Sequence, residues 1–458
     1  MKNQKSKIKN QNHIPKFKKV FKFFNFSLSF WILIFGLWIF NSSGCAQRDD
    51  ALAKKTITVW HWMTDRESAF QELAKRYEDE TGIRINFELY APSDVYSQKV
   101  RAAAQGRTLP DIYGLLGEKR DFAAFIKSGQ VADLSEAMNE ENGLWKECFF
   151  SKALEVVEFK ENNTYAILPG IYGAPIDIMN IQMLYNKKLF KKARLDPERP
   201  PSNWEEFIDD IQKLKKVGVP GLVSGWGEIW MIDCFASNYA FNIMGEDKVI
   251  ATLKGDLPYT DPEWIKVFSL FKELVDKDAL ASGIVIMKNK VAEQTFANER
   301  AAFAFNGSWC VNVYDGMNPR LEYAAFLPPK VNGKNPMYIW GGGSSFSFLV
   351  NDRSSKKLET IKFLKWLTDK DQQVYLSSET KNLPSNKFAL AKIPKILAQF
   401  ADDMDSTTNP GIWPVTESPA VIEALGKGIQ SILIKEKTPE SLAQELQAIK
   451  EKESQESF

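Results

Sequence analysis

Thr56-Ile57-Thr58-Val59-Trp60 alternates polar with apolar residues, as a half-buried strand does, and the 55 residues after it decide the fold. Thr64-x-x-Glu67 has the form of a capping box, and Phe70, Leu73, Ala74 and Tyr77 then recur at helical spacing until Gly82 ends the run. Alternation resumes over 83–90 through Ile85, Phe87 and Leu89, a second helical stretch covers 94–105, and Pro110-Asp111-Ile112-Tyr113 opens another short strand. The order β-α-β-α-β calls for parallel strands flanked by helices, an α/β fold. Trp60, on the alternating strand, is expected to point into the core and Trp62 away from it.

The same grammar returns further on. Pro201-Ser202-Asn203-Trp204-Glu205-Glu206-Phe207 predicts a helix to residue 216, capped by Ser202 or Asn203, and 219–223 reads as a strand. Residues 301–305 form an apolar run that Asn306-Gly307 is expected to close as a tight turn. Gly341-Gly342-Gly343 precedes a strand at 346–350, residues 357–368 form an amphipathic helix, and the charged end reads as a surface helix that frays.

Upstream, Lys2, Lys5, Lys7, Lys9, Lys16, Lys18, Lys19 and Lys22 precede an apolar run at 28–40 and then Asn41-Ser42-Ser43-Gly44-Cys45. That arrangement reads as an export signal over 1–44, with 45–55 as a polar tether. Thirteen apolar residues fall short of the roughly twenty that span a bilayer. The formal charge of +1 rests on those leader lysines; the body has no basic surplus to neutralise phosphates, and nucleic acid is not an expected partner. Beyond Cys45 the cysteines are Cys148, Cys234 and Cys310, without CxxC spacing, and are expected to be buried thiols. With only His13 and His61 present, a histidine-rich metal site is excluded and a hydrolase triad has only His61 to draw on. No cofactor, metal or catalytic residue is proposed on these grounds.

Tryptophan is abundant. There are thirteen, of which Trp31 and Trp38 lie in the leader. An indole can cover the C–H face of a pyranose while carboxylates and amides take its hydroxyls. Trp145, Trp204, Trp264 and Trp366 fall in amphipathic helices and are expected to pack internally. Trp62, Trp226, Trp230, Trp309, Trp340 and Trp413 lie at strand ends or beside Gly and Pro, where a ligand wall and ordinary packing are both open readings. Asp65 at a helix start, Asp177, and Glu228 between two tryptophans are polar candidates; Gly341 and Gly342 either let backbone N–H groups approach a ligand or supply positive φ.

Several segments in this order resemble one family. They are Ile57-Thr58-Val59-Trp60-His61-Trp62 with its following helix, Leu109-Pro110-Asp111-Ile112, and Gly173-Ala174-Pro175 through Leu184-Tyr185-Asn186-Lys187. Later come Glu299-Arg300-Ala301-Ala302-Phe303-Ala304 through Gly307-Ser308-Trp309, then Leu327-Pro328-Pro329 through Gly341-Gly342-Gly343-Ser344-Ser345, and the helix at 369–375. Together they resemble the bacterial extracellular solute-binding proteins of family 1, the maltose-binding-protein-like receptors of ABC importers. Gly44-Cys45 resembles a lipobox with Ser42 in place of the usual Leu, which implies lipidation of Cys45 and attachment to the cell envelope.

The resemblance implies a two-lobed, type II periplasmic-binding-protein-like fold, each lobe a mostly parallel sheet flanked by helices. Lobe one is expected at 56–173 with 331–378, lobe two at 178–328 with 385–440, and a charged tail at 441–458. Crossings at 172–177, 327–330 and 379–384 form the hinge. It implies a monomer that captures a carbohydrate in the cleft by hinge closure and delivers it to ABC permease subunits. Glu118 resembles the position of a sugar-binding carboxylate. Asn180 and Gln182 depart from the usual apolar crossing, as ligand contacts or as solvated groups. The competing readings are the same fold holding a polyamine, metal chelate, phosphodiester or peptide, a scaffold or adhesin, and a surface glycoside hydrolase with two carboxylates about 5 to 9 Å apart.

Overall fold

The computed structural model describes residues 56–116, 119–341, 343–402, 404, 413–414 and 416–456. The leader, the tether, Cys45, Glu118 and Gly342 lie outside them. Strand β1 (Thr56–His61) is followed by a helix, Glu67–Thr81, then β2 (Arg84–Leu89), a helix, Ser93–Gly106, and β3 (Ile112–Tyr113). The first helix buries Ala69, Phe70, Leu73, Ala74 and Tyr77, and Gly82 closes it at φ 71 with its N–H on the Glu78 carbonyl. Thr64 does not cap it: Arg66 occupies the N-cap with no side-chain bond. Glu67 instead turns to His61, Oε2 to Nε2 at 2.9 Å, because a fully buried imidazole needs a partner more than an exposed helix end does.

A small ribbon, β4 (Glu158–Phe159) with β5 (Gly170–Ile171), precedes β6 (Ala174–Pro175) and β7 (Asp177–Ile178). The chain then runs through β8 (Asn180–Asn186), β9 (Leu222–Val223), β10 (Phe303–Gly307), β11 (Tyr323–Phe326), β12 (Trp340–Gly341), β13 (Ser347–Val350) and β14 (Leu383–Pro384). Two five-stranded sheets result. The first has the order β2-β1-β3-β13-β6; the second is β11-β8-β10-β9, with β12 also on β8. Between them β7 pairs with β14, Asp177 opposite Pro384 and Ile178 opposite Leu383. Each sheet carries its own hydrophobic cluster.

β1, β2 and β3 are parallel as expected. The second sheet is not mostly parallel: β8 runs antiparallel to β10, β11 and β12, and only β9 with β10 is parallel. β8 carries the chain away from β7, so every strand paired with it returns towards β7. Asn306 and Gly307 belong to β10 itself, and the turn falls after them.

One crossing also differs from expectation. Residues 331–341 stay with the second sheet: Asn242 holds the 331–336 segment through its amide, Met337 lies in that sheet's core, and β12 pairs with β8. The chain passes over between Gly341 and Ser347, after the expected 327–330. Asn180 and Gln182 are buried and both donate to the Phe400 carbonyl, at 2.6 and 3.1 Å, and so serve packing. The charged end is the helix Pro439–Glu456, which inserts Leu442, Ala443 and Leu446 into the second core.

Two of the three passages are tied to the loop after β1 at Asp177. Arg66 Nη2 lies 2.5 Å from Asp177 Oδ2, with side chains 8% and 3% exposed, and Ser345 Oγ donates to Oδ1 at 2.7 Å. Asp177→Ala leaves the buried Arg66 guanidinium only the exposed Asp65 carboxylate, 3.7 Å from Nε, and is expected to cost about 3 kcal/mol in urea unfolding. The double variant Arg66→Met, Asp177→Leu is expected to recover most of that loss.

Candidate ligand-binding site

Strand direction places the two rims. β6 runs into β7; β13 is antiparallel to β6, and β3 to β13, so β1 and β3 end on the side of β7. In the second sheet Gly307 and Trp340 both pair with Ile181, at the start of β8 just after β7. The carboxyl ends of β1, β3, β9 and β10 therefore all lie on the β7 side, where ligands of open α/β sheets bind.

On the first rim Trp62 packs on Phe346 with centroids 4.9 Å apart and on Tyr96 at 4.8 Å. Gly114, just past β3, makes this contact available: a Cβ there would stand 2.5 Å from Phe346 Cε2 and 3.0 Å from Trp62 Cζ3. Beside it opens a cavity of about 570 Å³, lined among others by Leu115, Leu116, Lys119, Tyr165, Phe346 and Thr416. That volume falls within the range of small-molecule sites. Lys119 Nζ donates to the carbonyls of Glu155, Val156 and Glu158 at 2.7–2.8 Å, and burial pulls its pKa down to about 8.

On the second rim Trp230 and Trp309 stand with centroids 5.9 Å apart and planes inclined by 51°. Trp230 is 41% exposed and Trp309 half-buried. The Trp309 ring lies directly over Gly307, where a Cβ would meet Cζ3 at 2.0 Å. Both indole N–H groups are engaged by carboxylates: Trp230 Nε1 donates to Glu228 Oε2 at 2.9 Å and Trp309 Nε1 to Glu293 Oε1 at 3.2 Å. Trp340 is half-buried on the same side.

Other candidates go elsewhere. Trp226 is fully buried against Phe235 and Phe271, and Trp413 is fully buried against Trp264 with its N–H on Tyr259; both leave the proposed site. The glycines beside Trp226 serve close packing, since Cβ atoms on Gly225 and Gly227 would meet Asn289 and Ile286 at 2.6 Å. Asp177 is consumed by Arg66 and Ser345, and Glu228 by Trp230 and the Asn289 backbone. Gly341, at φ 127, lets β12 approach β8, its would-be Cβ 2.4 Å from Asn180 Cα. Asp65 is exposed near Asn382, at 3.4 Å. Trp60 is half-buried with its N–H on Glu88 and does not enter the core. Sequence reasoning missed Phe346, Tyr165, Lys119, Asn289 and Glu293; Phe346, adjoining the glycine run, carried the clearest signal.

The described histidine and cysteines are not placed as nucleophile or base of a hydrolase triad. His61 is buried among Phe70 and Phe87, and burial lowers its pKa against the opposing pull of Glu67. Cys148, Cys234 and Cys310 are buried free thiols, and burial pushes their pKa values up. Among the described residues no His, Cys, Asp or Glu cluster is arranged for a metal, and no helix is long and apolar enough to cross a membrane.

A model of the bacterial extracellular solute-binding proteins matches residues 72–405. The chain belongs to that family. It is 26% identical over 336 residues to a Brucella abortus (strain 2308) protein named as a binding protein, covering 72% of this chain and 76% of that one. To the multiple sugar-binding protein of Streptococcus mutans (serotype c, strain ATCC 700610 / UA159) it is 22% identical over 325 residues, covering 69% of this chain and 71% of the relative. Among solved structures, a chitin oligosaccharide binding protein superposes with a TM-score of 0.69 at 21% identity, over 87% of this chain and 98% of that one. The two sheets are thus the cores of the two lobes of a periplasmic-binding-protein-like fold.

One carboxylate in this solute-binding protein tests the burial of the Trp230 helix. Asp233, one turn beyond Trp230, has Oδ1 buried without a partner, and burial raises its pKa to about 7. A raised carboxylate pKa contributes stability that is full below the unfolded value of 3.8 and is lost as pH rises through about 7. Asp233→Asn is therefore expected to raise the unfolding free energy at pH 8 by up to about 4 kcal/mol, with the gain shrinking towards pH 4 in urea titrations.

Proposed function

We propose that this protein is the carbohydrate-capturing component of an ABC importer, closing two lobes around a sugar or oligosaccharide and handing it unchanged to membrane permeases. The observation that carries the reading is the Trp230–Trp309 pair at the β7-side rim. Its N–H groups are satisfied by the protein, so the rings have C–H stacking to offer a ligand in place of hydrogen bonds. Trp62 with Phe346 supplies aromatic surface from the other sheet; around the cavity Thr164 supplies a hydroxyl partner and Ser347, whose proton goes to Ser344, an acceptor oxygen. Binding to the closed state then shifts an open-to-closed equilibrium about the β7–β14 ribbon. The remaining ligand candidates Asp65, Glu118 and Trp340, a lipid at Cys45, a monomeric state and the permease partners belong to this reading.

Calorimetric titration of the protein lacking residues 1–44 tests it, using maltotriose, raffinose, a chitin oligosaccharide, sn-glycerol 3-phosphate and spermidine. At least one saccharide is expected to bind. Saturable binding of the phosphate or the amine with none of the sugars overturns the carbohydrate reading. For the saccharide bound, Trp309→Ala is expected to weaken affinity by about tenfold or more. Gly307→Ala, which drives a methyl into the Trp309 ring, is expected to do nearly as much without touching the ligand.

A further inference from the structure

We propose that Glu293 is a positioning residue for the site, acting through Trp309, and that it is part of one hydrogen-bonded arc that fixes the angle between the two rim indoles. The inference rests on the carbohydrate reading of that rim but names residues outside it.

The arc can be followed atom by atom. Trp230 Nε1 donates to Glu228 Oε2 at 2.9 Å, and Glu228 Oε1 accepts from the Asn289 backbone N–H at 2.8 Å. The Asn289 side-chain amide donates in turn to Glu293 Oε1 at 3.1 Å, and the same oxygen accepts from Trp309 Nε1 at 3.2 Å and from Asn306 Nδ2 at 3.5 Å. Lys290 Nζ faces the other oxygen at 3.4 Å. Two tryptophans 79 positions apart in sequence are thereby joined through two carboxylates and one asparagine. Glu293 is 3% exposed although it lies on the helix Asn289–Ala297, whose neighbouring Lys290 is open to solvent.

A buried carboxylate is costly unless it is bonded, and this one gathers three N–H donors and an ammonium at the end of β10. Packing holds the same geometry from behind. Gly225 and Gly227 let the Glu228 loop sit against Asn289 and Ile286, and Gly307 lets the Trp309 ring lie flat on the strand end. Each indole is thus held by its polar edge, and that of Trp309 is also seated on the strand end. A stacking surface of this kind loses little rotamer freedom on binding, and such preorganisation raises affinity without adding a contact.

The first test needs no ligand. The near-ultraviolet circular dichroism of Trp309, taken as the difference between each background and its Trp309→Phe derivative, is compared in wild type, Glu293→Leu and Glu293→Gln. Glu293→Leu is expected to collapse that difference spectrum, and Glu293→Gln, which keeps an acceptor oxygen, to restore most of it. An unchanged spectrum in Glu293→Leu overturns the proposal whatever the protein binds. Should Glu293→Leu fail to fold, Glu293→Met, close in volume and without a carboxylate for the Trp309 N–H, takes its place with the same expected collapse.

The second test is a double-mutant cycle on the affinity for whichever of maltotriose, raffinose or the chitin oligosaccharide binds. Glu293→Leu is expected to lower affinity about tenfold in wild type and by less than about twofold in the Trp309→Phe background. Equal losses in both backgrounds overturn the proposal and leave sugar binding standing. Sugar binding fails separately, by the absence of any saccharide response in wild type, and the spectroscopic test still decides the role of Glu293.

Discussion

Strand direction at the hinge governs the architecture. β7 and β14 form a two-stranded ribbon between the sheets, and each sheet is entered from it or exits to it. β8 leaves the ribbon into the second sheet, so its antiparallel partners must return, and β10 delivers Gly307 and Trp309 back to the ribbon. β6 arrives at the ribbon from the first sheet, and through β13 this orients β3 and β1 to finish there too. The two rims face the ribbon for reasons of hydrogen-bond register alone. The Arg66–Asp177–Ser345 cluster then ties the loop after β1 to two of the three chain passages at the same place.

Much of this was legible in the residues. Alternation over 56–60 and the helical run to Gly82 specify a parallel unit, because both periods are strong and Gly82 has the left-handed conformation that a helix end requires. The relation between the halves was less legible. No local signal distinguishes a passage at 327–330 from one after Gly341; what holds residues 331–336 to the second sheet is the amide of Asn242, nearly ninety positions away. The orientation of the second sheet was hidden likewise, since a buried apolar run reads the same for a parallel and an antiparallel strand.

The site divided along a similar line. Tryptophans beside glycine looked alike in sequence, yet Trp226 lies in the core and Trp309 at the rim. The glycines differ in what they admit: Gly225 and Gly227 admit backbone and so bury their neighbour, whereas Gly307 admits an indole and keeps it at the strand end. Glu228, between two tryptophans, and Asp177, on the hinge, were candidates for ligand contact in the sequence. Glu228 and Asp177 instead have their oxygens occupied by protein donors, and Glu293, unremarkable on a charged helix, emerged only when Trp309, Asn306 and Asn289 converged on it.

The place of β13 has a consequence for how the chain comes into being. It lies between β3 and β6 in the first sheet, so the amino-terminal half of that sheet has an open edge until residue 350 exists. A ribosome working at roughly 5 to 20 residues per second leaves that edge unpaired for many seconds. The first rim is closed by Phe346, which arrives with the same strand. Through most of its synthesis the first sheet therefore stays incomplete and open to chaperones, and its closure waits until three quarters of the polypeptide has been made.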